Sequence, residues 1–164
     1  MNEHLLHRAE AICHACDGHC CNDAHPPISK ERHRIILTYG KFSDCIEREG
    51  YTRIRTRDDG WCVMLSGKKC MIHAVKPETC VAGPFTFAVT DHTLEIYLKR
   101  ESLCPLVAHI KSDPEMYDLQ FCRAQDHIVK LVESLPREEI DIISAIPEDE
   151  TDLVARIPLD RAEQ

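Results

Sequence analysis

Aromatic residues are scarce in this chain, 5% of 164, and glycine occurs only six times. Neither a GxGxxG nor a P-loop stretch is present, so nothing in the sequence cradles a nucleotide phosphate. The GxSxG elbow and the HExxH helix are missing too, which removes two common hydrolase designs. No apolar run approaches the roughly 18 residues of a membrane span. Basic residues are outnumbered, 20 against 28 acidic, for a formal net charge of −8, and they form no long tract. That balance argues against a sequence-independent grip on nucleic acid. The start, Met1-Asn2-Glu3-His4, lacks the basic and apolar regions of a secretion signal, so a cytoplasmic setting is expected. The hydrophobic share of 43% includes ten cysteines. The remaining apolar content suits one thin core that gains from cross-linking of another kind.

What the chain has in excess is cysteine and, with ten residues, histidine. In a reducing compartment cysteines point to metal rather than disulfides. The densest group is Cys13-x-x-Cys16-x-x-x-Cys20-Cys21. Two cysteines separated by two residues direct both sulfurs at one ion through a tight turn. Cys62, Cys70, Cys80 and Cys104 follow, the first three in turn-rich sequence and the last before Pro105. Consecutive side chains tend to diverge, so Cys20 and Cys21 face two centres, or one ligates while the other packs. The eight thiols form either two four-thiolate centres or one cluster with spare thiols beside it. Zinc and an iron–sulfur cluster both accept four thiolates, at a total charge of about −2 in each case. Cys104-Pro105 leans toward iron. Lys68, Lys69 and Lys76 are placed to offset the charge. Cys45 and Cys122 read as small hydrophobes, Cys122 on the apolar stripe of a helix. His14, His19, His25 and His73 lie near cysteines and read as solvated loop residues, with ligation as the alternative.

The predicted elements frame this pattern. Residues 2–12 read as an amphipathic helix, with Leu5, Leu6, Ala9 and Ile12 on one side. Cys13 to Pro27 reads as a loop. Ser29 caps a helix through Tyr39, with Ile35, Ile36 and Tyr39 buried. Phe42 to Arg48 reads as one more turn, ended by Gly50. A short exposed strand is expected over residues 51–57, and a hairpin around Ser66-Gly67. Pro77 to Pro84 reads as a cysteine-bearing loop. Phe85–Val89 and Thr93–Leu98 alternate as a second hairpin. A short helix is expected over 104–110. Asp113 and Pro114 supply the cap and first residue of a long helix with Met116, Leu119, Cys122, Ile128, Leu131, Val132 and Leu135 on its stripe. Pro136 opens another helix, and Leu153–Leu159 reads as an edge strand or an arm. The expected class is α+β: a small, helix-rich and loop-rich single domain with short strands, organised around a thiolate metal site. Residues 1–110 would carry the cysteine cluster, and 111–164 a helical extension packed on it as one structural unit.

The order of these motifs resembles the YkgJ-type cysteine-cluster family, a zinc- or iron-chelating CxxCxxxCC domain. The resemblance rests on Cys13-His14-Ala15-Cys16-Asp17-Gly18-His19-Cys20-Cys21, on Trp61-Cys62-Val63-Met64-Leu65 with Lys69-Cys70-Met71-Ile72-His73 (the family's CxFL and CxIY), on Lys76-Pro77-Glu78-Thr79-Cys80 (RPxxC) and on Cys104-Pro105. Lys76 stands where arginine is usual, His73 where tyrosine is, and Gly83 where an aromatic precedes proline. A point charge thus replaces a planar fork at residue 76. The resemblance implies a metal-binding protein with Cys13, Cys16, Cys20, Cys21, Cys62, Cys70, Cys80 and Cys104 as the ligand pool. Its cofactor would be an iron–sulfur cluster or, alternatively, zinc. Its role would be electron transfer, metal handling or support of a partner enzyme. The alternatives are a cluster-dependent enzyme component for oxidoreduction or methyl transfer, and a structural zinc module for protein contacts. No residue carries a catalytic label. A protein partner is left open, and neither nucleic acid nor a membrane is expected.

Overall fold

Where glycine, proline and capping residues fall along the chain decides how far each helix runs. In the computed structural model, which describes residues 3–16 and 18–160, α1 spans Glu3–Ala15. Its Ala9 is buried, and Leu5 and Ile12 pack beside it on the main core. The helix runs past the expected end through Cys13, because no helix breaker precedes Gly18 and its φ of +73°. α2 (Lys30–Tyr39) starts where Ser29 accepts a hydrogen bond from the Arg32 backbone N–H at 3.0 Å, as a capping serine does. Ile36 is fully buried, but Tyr39 is 52% exposed, against expectation, because the helix end projects past the core.

The segment expected to form a turn and an exposed strand instead makes a hairpin of β1 (Ile46–Arg48) and β2 (Thr52–Ile54), preceded by a single 3-10 turn over Ser43–Cys45. Gly50 takes φ +79° between the two strands. Ile54 and the adjoining Tyr51 are buried, not exposed, and the Tyr51 hydroxyl donates to the His25 carbonyl. β3 (Leu65–Ser66) and β4 (Lys69–Cys70) form the small hairpin around Gly67. Pro77–Pro84 is not all loop: Glu78–Ala82 winds into the short helix α3.

β5 (Phe85–Thr90) and β6 (Thr93–Lys99) pair antiparallel. Asp91 and His92 both take positive φ in the tight turn between them. Alternate residues of the hairpin, Phe85, Phe87, Leu94, Ile96 and Leu98, face the core. α4 (Leu106–Ser112) leads to α5 (Pro114–Ser134), which begins with Asp113 capping Met116 and Pro114 in the first turn. α6 (Arg137–Ser144) then packs on β5. The chain ends in β7 (Thr151–Pro158), paired with β6 as the third strand. Their register shifts at Ile96 and Tyr97, leaving Val154 without a partner. Such a bulge, with Pro158 beyond it, discourages further strands from pairing with this edge.

The apolar side chains gather in two clusters. The larger joins Ala9, the β5–β6 face, α4, α5 and α6. The smaller consists of Ile28, Ile36, Ile54, Cys62, Met64 and Ile72. No helix among the described residues is long and apolar enough to cross a membrane. Cys122 lies exposed on α5 and not in its apolar stripe, a correction to the sequence reading. The buried face of α5 runs through Met116, Gln120, Ala124, Ile128, Leu131 and Val132, and residue 122 falls off that line. Ile128→Ala should therefore destabilise the protein by about 2–5 kcal/mol. Cys122→Ala should change stability by no more than about 0.5 kcal/mol. Urea unfolding of the two variants measures both.

Candidate metal centre

All ten cysteines are free thiols. Eight of them come from four stretches that the backbone draws together. Cys13 sits in the last turn of α1, and the Cys16 N–H donates to its carbonyl. Gly18 then turns the chain left-handed, where a side chain would be strained and would press against Leu65 at 3.2 Å. This puts Cys20 and Cys21 in a 3-10 turn over His19–Cys21, closed by the Cys21 N–H on the Gly18 carbonyl at 2.8 Å. The Cys62 N–H donates to the Cys21 carbonyl at 2.8 Å and binds the second stretch to the first. Cys70 follows on β4, opposite Leu65. Cys80 lies within α3, and Cys104 just ahead of α4. Cys62 belongs to the smaller apolar cluster and Cys21 and Cys70 pack on it, whereas Cys104 packs on the larger. The thiols thus lie where the two clusters meet. Cys45 packs on the smaller cluster as a hydrophobe, as expected of it.

Electrostatics shows how closely the eight are associated. Cys20 is the hub. Its side chain shares a hydrogen bond with Cys21, which lowers Cys20 to about 6 against the opposing effect of burial, with Lys99 and Lys76 assisting. The same bond raises Cys21, and burial and the charges of Cys20, Cys62 and Cys80 push it further. Burial raises Cys13 to about 11; Lys76 opposes, and Cys104, Cys20 and Cys16 add to the rise. Cys80 keeps an open side to solvent but is otherwise densely surrounded, and that desolvation raises it most, ahead of Cys20 and Cys62. Burial also raises Cys62, Cys70 and Cys104. Each of these three is opposed by a backbone N–H two residues onward, from Met64, Ile72 and Leu106 respectively. Amides aimed at sulfur favour its thiolate form. Lys76 influences Cys13, Cys20, Cys70 and Cys80, and Lys99 influences Cys20 and Cys104. Among the described residues, however, no three His, Cys, Asp or Glu side chains close into a set able to hold one ion as they stand. The sulfurs share a neighbourhood without forming a coordination sphere.

The histidines behave differently from one another. His14 and His73 face each other with ring centroids 5.2 Å apart, so His73 is not a solvated loop residue. Burial, then Lys76 and His14, lower its pKa. His25 contacts Asp23 at 3.4 Å and Thr56 at 3.1 Å, and His19 is exposed.

One feature of the site escapes a reading of motifs. Glu78 is only 5% exposed and accepts a short hydrogen bond from the Ser29 hydroxyl. Arg32 Nε lies 4.0 Å from the same carboxylate oxygen. Glu78 Oε2, Arg32 Nε and Thr79 Oγ1 are buried without hydrogen-bond partners. Ser29 therefore caps α2 and also holds α3, the helix that presents Cys80. In sequence Ser29 signals only a helix start, and Glu78 is one acid among many.

A family model described as "CxxCxxCC: Putative zinc- or iron-chelating domain" matches residues 12–123, so the match runs beyond the last cysteine motif and into α5. No curated protein and no solved structure matches the chain significantly.

Removing the Glu78 carboxylate strands the Ser29 hydroxyl and frees the start of α3. Glu78→Ala should cost about 1–3 kcal/mol. It should also speed alkylation of Cys80 relative to Cys122, followed by peptide mass spectrometry.

Proposed function

Because the chain belongs to the CxxCxxCC family, we propose that Cys13, Cys16, Cys20, Cys21, Cys62, Cys70, Cys80 and Cys104 are the pool from which it holds metal. An iron–sulfur cluster is the first choice and zinc the second. The protein would serve electron transfer, metal handling or the support of a partner enzyme. The observation that carries this reading is the position of Cys20, whose sulfur acts on six others, Cys13, Cys21, Cys62, Cys70, Cys80 and Cys104, drawn from four separate stretches. Closely placed thiols that would share negative charge when ionised are relieved by a cation.

The donor set fits such a group chemically. Soft thiolates suit iron–sulfur clusters and zinc alike. Among the described residues the sulfurs do not form a coordination sphere as they stand, so holding a metal would require them to rearrange. The Met64, Ile72 and Leu106 amides would stay aimed at three of the ligands, a contact that tunes cluster potentials. Lys76 and Lys99 would offset the remaining negative charge. When bound, the group would supply either one-electron redox capacity, as a cluster, or a structural cross-link, as zinc.

Two clefts, of about 250 and 280 Å³, are lined by Arg34, Ile35, Thr38, Tyr39 and Val75 and by Arg57, Asp59, Trp61, Leu65 and Gly67. Neither of these two clefts includes a cysteine.

Anaerobic purification with elemental analysis and a visible spectrum tests the proposal. Brown protein bleached by dithionite identifies a cluster, and colourless protein with stoichiometric zinc identifies the alternative. Cys16→Ser should lose most of the metal and melt at a lower temperature, because metal-binding energy is also folding energy. Metal content and melting unchanged in Cys16→Ser would overturn the proposal.

A further inference from the structure

Two of the ten histidines face each other at the rim of the thiol group. His14 lies in the last turn of α1, one residue after Cys13. His73 opens the 3-10 turn over His73–Val75, three residues after Cys70. Their ring centroids are 5.2 Å apart, with the planes tilted by 38°. Two imidazoles bound to one tetrahedral ion, at metal–nitrogen distances of about 2 Å, have ring centres roughly 5 Å apart. The backbone therefore holds this pair at the spacing that a shared ion requires.

The surroundings supply a third donor. Glu10 precedes His14 by four residues on α1, one turn back on the same helix face. Burial, then Lys76, His14 and Arg123, lower the pKa of His73, and Glu10 opposes them. Among the described residues no Lys or Arg forms an ion pair with Glu10, so its carboxylate is not committed elsewhere. His14 is exposed, and Glu10 and His73 are half-buried, so solvent reaches all three. The end of α1 that carries His14 is the negative pole of the helix dipole, which favours a cation. Imidazole nitrogen with carboxylate oxygen suits a borderline divalent ion such as zinc.

We propose that Glu10, His14 and His73 form a second cation site, lined by nitrogen and oxygen and open to solvent, that takes up a divalent ion of the zinc type beside the thiol group. The inference rests on the metal-centre reading only for the purpose of the site, which is to bring an ion next to the cysteines that retain it. The imidazole pair is in place. Glu10 has to be drawn in, since among the described residues no three such side chains close on one point as they stand. Water completes the coordination. Lys76 and Arg123 act on His73 and work against a cation there, so the ion is held weakly and exchanges with solution. Weak binding is what an entry point needs. Passage to the cysteines is ligand exchange: each thiol releases its proton to solvent as its sulfur binds, and no electron moves.

The probe is ionic zinc, added to full-length protein purified anaerobically and dialysed to constant metal content. Calorimetry follows binding, and NMR follows the histidine ring signals. Wild type should take up one weakly bound equivalent. The His14 and His73 signals should move, and that of His92, in the β5–β6 turn, should not. His14→Gln, at an exposed residue, and His73→Phe, which keeps an aromatic ring, should each weaken this equivalent by about tenfold or more, since residues that merely support a ligand are worth that much. Glu10→Gln should act in the same direction, and His109→Gln on α4 should leave binding unchanged. Equal zinc affinity in wild type and His14→Gln would overturn the proposal, as would His14 and His73 signals that zinc leaves in place. Metal retained through dialysis should be the same in wild type and His14→Gln. Its loss from the variant would put His14 in the thiol centre and overturn a separate site. Metal missing from dialysed wild type would refute the metal-centre reading, and the ring signals would then decide the second site by themselves.

Discussion

Everything about the site depends on a backbone constraint, the hydrogen bond from the Cys62 amide to the Cys21 carbonyl and the left-handed turn at Gly18 that makes it reachable. These two features carry the CxxC end of α1 to the smaller apolar cluster. Without them, Cys13 and Cys16 would trail from a helix end, and the later cysteines would belong to a different part of the molecule. With them, thiols from both ends of the cysteine-bearing region lie between two separate apolar clusters. Sulfur here occupies the position that larger proteins fill with aliphatic side chains, which accords with the shortage of aromatic residues.

Polar contacts complete the frame. Ser29 serves two elements at once, as the N-cap of α2 and as the donor to Glu78 at the head of α3. A buried carboxylate, here two residues before Cys80, is costly unless partnered, and one oxygen of Glu78 is satisfied while the other is not. The arrangement transmits the position of α2 directly to Cys80. Lys76, two residues before Glu78, then contributes a positive charge that acts on four of the thiols. Lysine at this point supplies charge without the two-pronged hydrogen bonding of arginine, so the local support is electrostatic rather than geometric.

Reading the residues in order recovers elements whose signals are local. Asp113-Pro114 marks the start of α5, Ser29 that of α2, and the alternation across Phe85–Leu98 marks a hairpin, because caps, turns and period-two burial each act within a few residues. The errors share a cause as well. Pro77–Pro84 contains two prolines and a glycine, yet Glu78–Ala82 is helical because Ser29 and α5 hold it from outside. Tyr51 and Ile54 fall in a stretch with many charges, yet Ile54 is buried in the smaller cluster with Ile36 of α2, and Tyr51 in the larger one with its hydroxyl on the His25 carbonyl. Cys122 and Tyr39 carry apolar character but face outward, since helical spacing gives a stripe and packing decides where that stripe ends.

The sequence alone determined the family, the α+β class and the inventory of thiols, since each is written in residue identity and spacing. Only the tertiary structure decided that the Cys20 and Cys21 side chains share a hydrogen bond and that Glu78 is buried rather than solvated. The physical reason is range. Spacing along a chain encodes contacts within a turn or a hairpin, whereas Coulomb interaction and desolvation depend on distances through space, which are fixed only once remote segments have packed.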